Sequence, residues 1–160
     1  MRLTLFIAIS LICFSCSSDS SSGWKALDLM KYNVPVTIMA PDSAKVKATN
    51  LSGIMQDVTI KSTDDYYSIQ VLASQASTDD MARLKAEQLQ LVRDNRYFDS
   101  VLSEEPNGFI FLNKIDTLSL YGFRHIIYQG DQEFVFQNSF DGIFTLEQVE
   151  AMYAAVKQKK

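Results

Sequence analysis

The chain has one histidine, His125, and its only two cysteines, Cys13 and Cys16, lie at its very start. Everything beyond Cys16 is therefore without a thiol, which excludes disulfides, cysteine nucleophiles and Cys/His metal clusters from that part. Glycine and proline are scarce, at six and three residues of 160, so low-complexity and collagen-like architectures are excluded as well. Basic residues are outnumbered, 15 Lys and Arg against 19 Asp and Glu, for a net charge of −4. Such a balance lacks the surplus that a phosphate backbone or an anionic bilayer attracts, and nucleic acid is not expected as a partner. Gly-x-Ser-x-Gly elbows, Gly-rich phosphate loops and EF-hand spacing are also missing, and no cofactor is expected. What is present is apolar substance, 47% of the residues, enough for one globular domain.

The opening is a leader. Arg2 is followed by an uncharged run from Leu3 to Phe14, about a dozen residues, which is short of the roughly 20 that a membrane-crossing helix needs. Ser15 then precedes Cys16, and Ser17-Ser18-Asp19-Ser20-Ser21-Ser22-Gly23 follows as a polar spacer. Small residue, cysteine and polar spacer together resemble a bacterial lipoprotein signal. The resemblance implies removal of residues 1–15, a diacylglyceryl thioether on Cys16 and acylation of the new amino terminus. The Ser/Asp-rich run is similar to that of Bacteroidota lipoproteins, in which an early acidic residue such as Asp19 can accompany export to the cell surface. The implied location is the bacterial cell envelope, held by lipid at the outer membrane on its periplasmic or surface face. Several acyl chains, at about 0.8 kcal/mol per buried methylene, make such an anchor durable. The alternative is an ordinary secretory signal with Cys16 incidental. Residues 16–23 then serve as a tether, and 24–160 as a single domain.

Within that domain, Val34–Ala40, Ala44–Thr49, Ile54–Lys61 and Tyr66–Ala73 are rich in β-branched and aromatic residues and separated by Pro41-Asp42, Ser52-Gly53 and Asp64-Asp65, the pattern of four short strands. Ile54, Val58 and Ile60 alternate with Asp57, Thr59 and Lys61, and the Tyr67, Ile69, Val71, Ala73 face of the fourth run is the apolar one. Ser77-Thr78-Asp79-Asp80 caps a helix running to about Asn95, with Met81, Ala82, Leu84, Ala86, Leu89 and Val92 as its core stripe. A second meander follows: Phe98–Ser103, Phe109–Ile115, Leu118–Gln129 and Gln132–Phe140, turning at Pro106-Asn107-Gly108, Asp116-Thr117 and Gly130-Asp131. Thr145 and Gln148 have capping-box spacing ahead of a last helix bearing Leu146, Val149, Met152, Tyr153 and Val156. The expected class is α+β, an antiparallel sheet flanked by two amphipathic helices. The order of elements over residues 32–158 is similar to the PsbP/DcrB-like α/β/α sandwiches. That resemblance implies a non-enzymatic binding or assembly module.

Few residues invite chemistry. His125 shares a strand face with Phe123 and Ile127 and reads as a partly buried, hydrogen-bonded side chain rather than a base. Arg124, beside it, and Lys114, across the hairpin, form a candidate anionic-ligand patch, weighed against solvated strand-face charges. Asp64-Asp65, Asp79-Asp80 and Glu104-Glu105 read as turn and helix-start residues, not as metal ligands. Tyr66, on the polar side of its strand, and Tyr97, after the first helix, are candidate partner anchors. Trp24, Leu27 and Leu29 are expected to fold back over the open end of the core. The resulting expectation is a non-catalytic, membrane-anchored envelope lipoprotein that binds a protein partner. Its alternative is a small-ligand binder with a pocket between sheet and helix; an enzyme of unfamiliar type is a third.

Overall fold

The computed structural model describes residues 23–51 and 53–157. The leader, Cys16, residues 17–22 of the tether, Ser52 of one expected turn and the lysine-rich tail beyond Lys157 lie outside the described residues. The described chain is α+β, with a seven-stranded antiparallel sheet, a separate two-stranded sheet and two α-helices.

Strands β1 (Lys25–Asp28) and β2 (Thr37–Ala40) pair with each other around a short 3-10 turn, Met30–Tyr32. Strands β3 (Lys45–Leu51), β4 (Met55–Ser62) and β5 (Tyr67–Gln75) form one meander. Helix α1 (Met81–Arg93) then carries the chain to the far edge of the sheet, where β6 (Phe98–Glu105), β7 (Gly108–Ile115), β8 (Leu118–Gln129) and β9 (Gln132–Asn138) form a second meander. The two meanders join where β9 pairs with β5, giving the order β3-β4-β5-β9-β8-β7-β6. The hairpin turns follow local chemistry. Gly130 and Asp131 sit at φ 59° and 60°, the pair of left-handed residues that matches strand twist in a two-residue turn, and Asp116 supplies the same region at 53°. The edges are blunted by exposed Lys45 and Lys47 on β3 and by two register shifts on β6.

Helix α2 (Leu146–Val156) and the β1–β2 layer bury one face of the sheet. There Val58, Ile60, Ile69, Val71, Phe123, Phe134 and Phe136 meet Val149, Met152, Tyr153 and Val156. The entry end is closed by Trp24, whose ring stands edge-on to Tyr67 at 4.9 Å, and by fully buried Leu29. Helix α1 packs on the opposite face, where Leu89 and Val92 cluster with Phe109 and Phe111. Both helices start as their sequences require. Asp80 accepts hydrogen bonds from the backbone N–H groups of Ala82 and Arg83, and Thr145 with Gln148 forms a complete capping box.

Three expectations are corrected. The α1 stripe is narrower than the apolar pattern indicates: Leu84, Leu89 and Val92 are buried, while Ala82 and Ala86 are exposed. A helix lying on only part of a sheet face buries a correspondingly narrow strip. Ile54 does not join the core side with Val58 and Ile60; it belongs to the β3–β4 turn and is 78% exposed. Strand β1 is an additional element, too short and too exposed for alternation to reveal it.

Candidate functional site

Consecutive residues on a strand point to opposite faces, and β8 divides the expected patch in this way. His125 is cross-strand neighbour to Gly108 and Phe136 on the α2 face, whereas Arg124 lies level with Phe109 and Gln137 on the α1 face. Lys114 is engaged elsewhere, its ammonium 2.9 Å from the Asp99 carboxylate. The proposed grouping of Arg124, His125 and Lys114 therefore does not form. Tyr66 stands in the β4–β5 turn, exposed, at φ 49°, and Tyr97 lies between α1 and β6 under the guanidinium of Arg96. The four candidate contact residues, Tyr66, Tyr97, Arg124 and His125, are thus spread over separate parts of the domain.

His125 is buried, with Tyr153 and Phe136 rings 5.9 and 6.1 Å from its own. Burial lowers its pKa to about 4, against the raising influence of Glu105, so it is neutral near pH 7. Contrary to the sequence expectation, its Nδ1 has no hydrogen-bond partner among the described residues. The polar partners next to it are bound to each other. Tyr153 Oη donates to Glu105 Oε2 at 3.2 Å, and Lys157 Nζ donates to Glu105 Oε1 at 2.8 Å. The Lys157 hydrogen bond is the largest cause of the low Glu105 carboxyl pKa, and burial raises the Tyr153 phenol.

The α1 face carries a different arrangement. A polar row crosses the sheet there: Gln137 Nε2 donates to Gln70 Oε1 at 2.7 Å, and Gln70 Nε2 donates to Asp57 Oδ2 at 2.7 Å. Arg124 continues the row beyond Gln137. Its Nη1 donates to the Phe123 carbonyl at 3.1 Å, and its guanidinium lies 5.7 Å from the Phe111 ring centre. No carboxylate pairs with it among the described residues. Burial alone lowers its pKa, to about 10, so it stays charged at neutral pH.

Two hollows, of about 460 and 450 Å³, adjoin at this point and share Phe111, Asn113, Arg124 and Phe140 as lining. One opens between β7, β8 and the loop leading to α2; the other runs between the sheet and α1. The floor exists because residue 122 is a glycine. A Cβ there would lie 2.5 Å from Phe111 Cζ, so the tip of that ring occupies the space a side chain would fill. The Oδ1 of Asn113 is buried without a hydrogen-bond partner among the described residues. Around the opening, Phe140 is 83% exposed and Leu91 and Ile143 are each 65% exposed. No protein-family model, curated protein or solved structure matches this chain. Among the described residues no helix is long and apolar enough to cross a membrane, and no group of three His, Cys, Asp or Glu is placed to hold a metal ion.

Sequence reasoning singled out Arg124 but missed Asn113, Gln137 and Phe140. The available signal was alternation in β8: Leu120, Gly122, Arg124 and Ile126 share one face, so a cation there sits between apolar neighbours behind a residue with no side chain.

Proposed function

We propose that this chain is a non-catalytic binding module of the bacterial cell envelope, held at a membrane through lipid on Cys16 and engaging a protein partner through the α1-side groove. The observation that carries this reading is the exposed apolar rim of Phe140, Ile143 and Leu91 around a concave floor. Exposed aromatic and aliphatic side chains beside a hollow are what a partner's hot spot requires. The neutral state of His125 agrees with a non-catalytic role, because a base that protonates near pH 4 removes protons weakly. The placement of the two helices on opposite faces agrees with an α/β/α sandwich of PsbP/DcrB-like type.

The test is a photo-activatable residue at Phe140 in living cells, with Glu150, exposed on α2, as the control position. A discrete adduct with one envelope protein from position 140 and none from position 150 is expected. Adducts that are absent from both, or equal at both, would remove the groove as an interface.

A second reading has its own support. The hollow between sheet and α1, at about 450 Å³, falls within the size range of small-molecule sites. A small amphipathic ligand that abolishes the Phe140 adduct would favour it.

A further inference from the structure

We infer that the α1-side groove is a site for a small monocarboxylate with a wholly apolar body, of the fatty-acid type, with Arg124 receiving the carboxylate and Leu72, Leu91, Val135 and Phe140 enclosing the body between the sheet and α1. This rests on the second reading of that groove, as a small-molecule site, and names the chemistry of the ligand.

The polar row on this face of the sheet ends in a cation without placing a carboxylate beside it. Asp57 stands three strands from Arg124, about 14 Å at the usual strand spacing. The carboxylates that line the groove are engaged elsewhere: Asp141 pairs with Lys61, and Glu133 accepts from Gln88. Arg124 commits only Nη1, to the Phe123 carbonyl. Its Nε and Nη2 have no acceptor among the described residues and, unlike Asn113 Oδ1, are not sealed from solvent. That edge of a guanidinium presents the two parallel donors that a carboxylate takes bidentately. Burial around Arg124, the same effect that lowers its pKa, strengthens such a pair relative to one in open solvent.

A second polar group on the ligand has little to meet. Asn138 uses its amide at both ends, on the Phe123 N–H and the Tyr121 carbonyl, Gln137 donates to Gln70, and Ser139 donates to Asp141. A polypeptide end would bury backbone N–H and C=O groups against these committed side chains, which is unfavourable for polar groups left unpaired. Inorganic phosphate has no apolar body, and any dianionic head meets a single guanidinium beside the carboxylates of Asp141 and Glu133. A carboxylate on hydrocarbon requires one ion pair and an apolar enclosure. The hollow under α1 supplies the enclosure, about 450 Å³ between aliphatic walls and the Phe111 and Phe140 rings, within the size range of small-molecule sites.

The experiment illuminates detergent-free lysate of cells producing the full-length protein with decanoic acid that carries a photoreactive diazirine in its chain, and identifies the labelled peptides by mass spectrometry. Label in α1 and in β7–β9, saturable by unlabelled decanoate, is expected. Decanol and decyl phosphate are expected to compete about tenfold less well, and Arg124→Gln to lower the label about tenfold or more, with Arg124→Lys recovering part of the loss. Should Arg124→Gln impair folding, Phe140→Glu decides instead: its side chain is exposed, so it leaves the melting curve unchanged while repelling the carboxylate. The inference is overturned if no saturable label appears, if decanol or decyl phosphate competes as well as decanoate, or if the label survives in the deciding variant. It is also overturned if a pentapeptide acid ending in leucine competes at lower concentration than decanoate, which would assign the groove to a polypeptide end. Equal competition by decanol would reject the ion pair at Arg124 and leave the small-molecule reading standing. Absence of saturable label, together with a Phe140 adduct in cells that neither decanoate nor decanol abolishes, would reject both.

Discussion

Arg124 and His125 are adjacent in the chain and face opposite layers, the guanidinium over the Phe111 ring and the imidazole against Tyr153. One peptide bond thus separates two environments that burial affects in unlike ways. On the α1 side a charge persists with no carboxylate paired to it among the described residues; on the α2 side the charge is given up and the ring stays neutral. Arg124 therefore lines the α1-side groove and His125 does not.

That division predicts the pH dependence of folding. The His125 pKa is about 4 in the folded chain against the ordinary 6.5, so the unfolded chain binds the proton first as pH falls. Above pH 6.5 both states are neutral at this site and nothing is lost. Between 6.5 and 4 stability falls, by about 2 kcal/mol from pH 7 to pH 5. The low carboxyl pKa values of Asp65, Asp99, Glu104, Glu105 and Asp141 act in the same direction but at lower pH, below the ordinary carboxylate range. Urea unfolding at pH 7 and pH 5 should show this slope in the wild type and little of it in His125→Gln. An equal slope in the two proteins would assign the effect elsewhere.

Two glycines should differ in how badly they tolerate a methyl group. At Gly108 an added Cβ would lie 2.4 Å from the backbone oxygen of Arg124 and 2.8 Å from Tyr153 Oη, within a paired ladder that has no room to shift. At Gly122 the obstacle is the Phe111 ring, which can tilt into the open groove. Gly108→Ala should therefore cost about 3 kcal/mol and Gly122→Ala about 1 kcal/mol, by the penalties typical of overpacking. Gly122→Ala should in addition reduce the Phe140 adduct in cells, since the displaced ring enters the groove. Urea midpoints and the yield of the Phe140 adduct for the same two proteins separate the effects.

Much of this architecture is legible in the sequence because it is locally determined. Gly130-Asp131 and Pro106-Asn107 mark hairpins, and Asp80 and Thr145 mark helix starts, through backbone conformation and capping that involve only neighbouring residues. The Tyr67 face of β5 is likewise fixed by alternation. What alternation does not convey is the depth of cover on each face. The apolar stripe on α1 is wider than its buried part, with Ala82 and Ala86 exposed, because the area of sheet that a helix covers is decided by long-range packing. The same limit hid the site: Asn113 and Phe140 come together with Arg124 only once β7, β8 and the loop after β9 are assembled. Arg124 was visible as a cation on a strand, but its lack of a carboxylate is a tertiary fact.

Anchoring is a separate matter from folding, and Cys16 tests it. Cys16→Ala should move the protein from the membrane fraction to the soluble fraction, or leave it as unprocessed precursor, with the melting temperature of the domain unchanged. The measurement is fractionation of cells together with the mass of the amino-terminal peptide. Continued membrane association with an unmodified amino terminus would remove the lipid anchor from the proposal.

The Trp24 contacts make the start of the folded domain testable. The Trp24 ring packs at 84° to that of Tyr67, whose hydroxyl donates to the Met39 carbonyl at 2.9 Å, so the first described residues are tied into the β2 side of the core. Strand β1 extends that tie through its ladder from Lys25↔Ala40 to Asp28↔Thr37, and Leu29 then enters the core with no exposure at all. A protein beginning at Trp24 should keep all of these contacts and unfold in one cooperative step at the midpoint of the longer chain. A protein beginning at Met30 loses the ladder, the Trp24–Tyr67 contact and the Leu29 side chain together. Removing a single buried Leu side chain costs about 2 to 5 kcal/mol, so the shorter protein should lose at least that much, a large part of a typical domain's stability. Urea unfolding followed by far-ultraviolet circular dichroism compares the two directly. Equal midpoints would show that the β1 layer is an appendage and that the domain begins at β2.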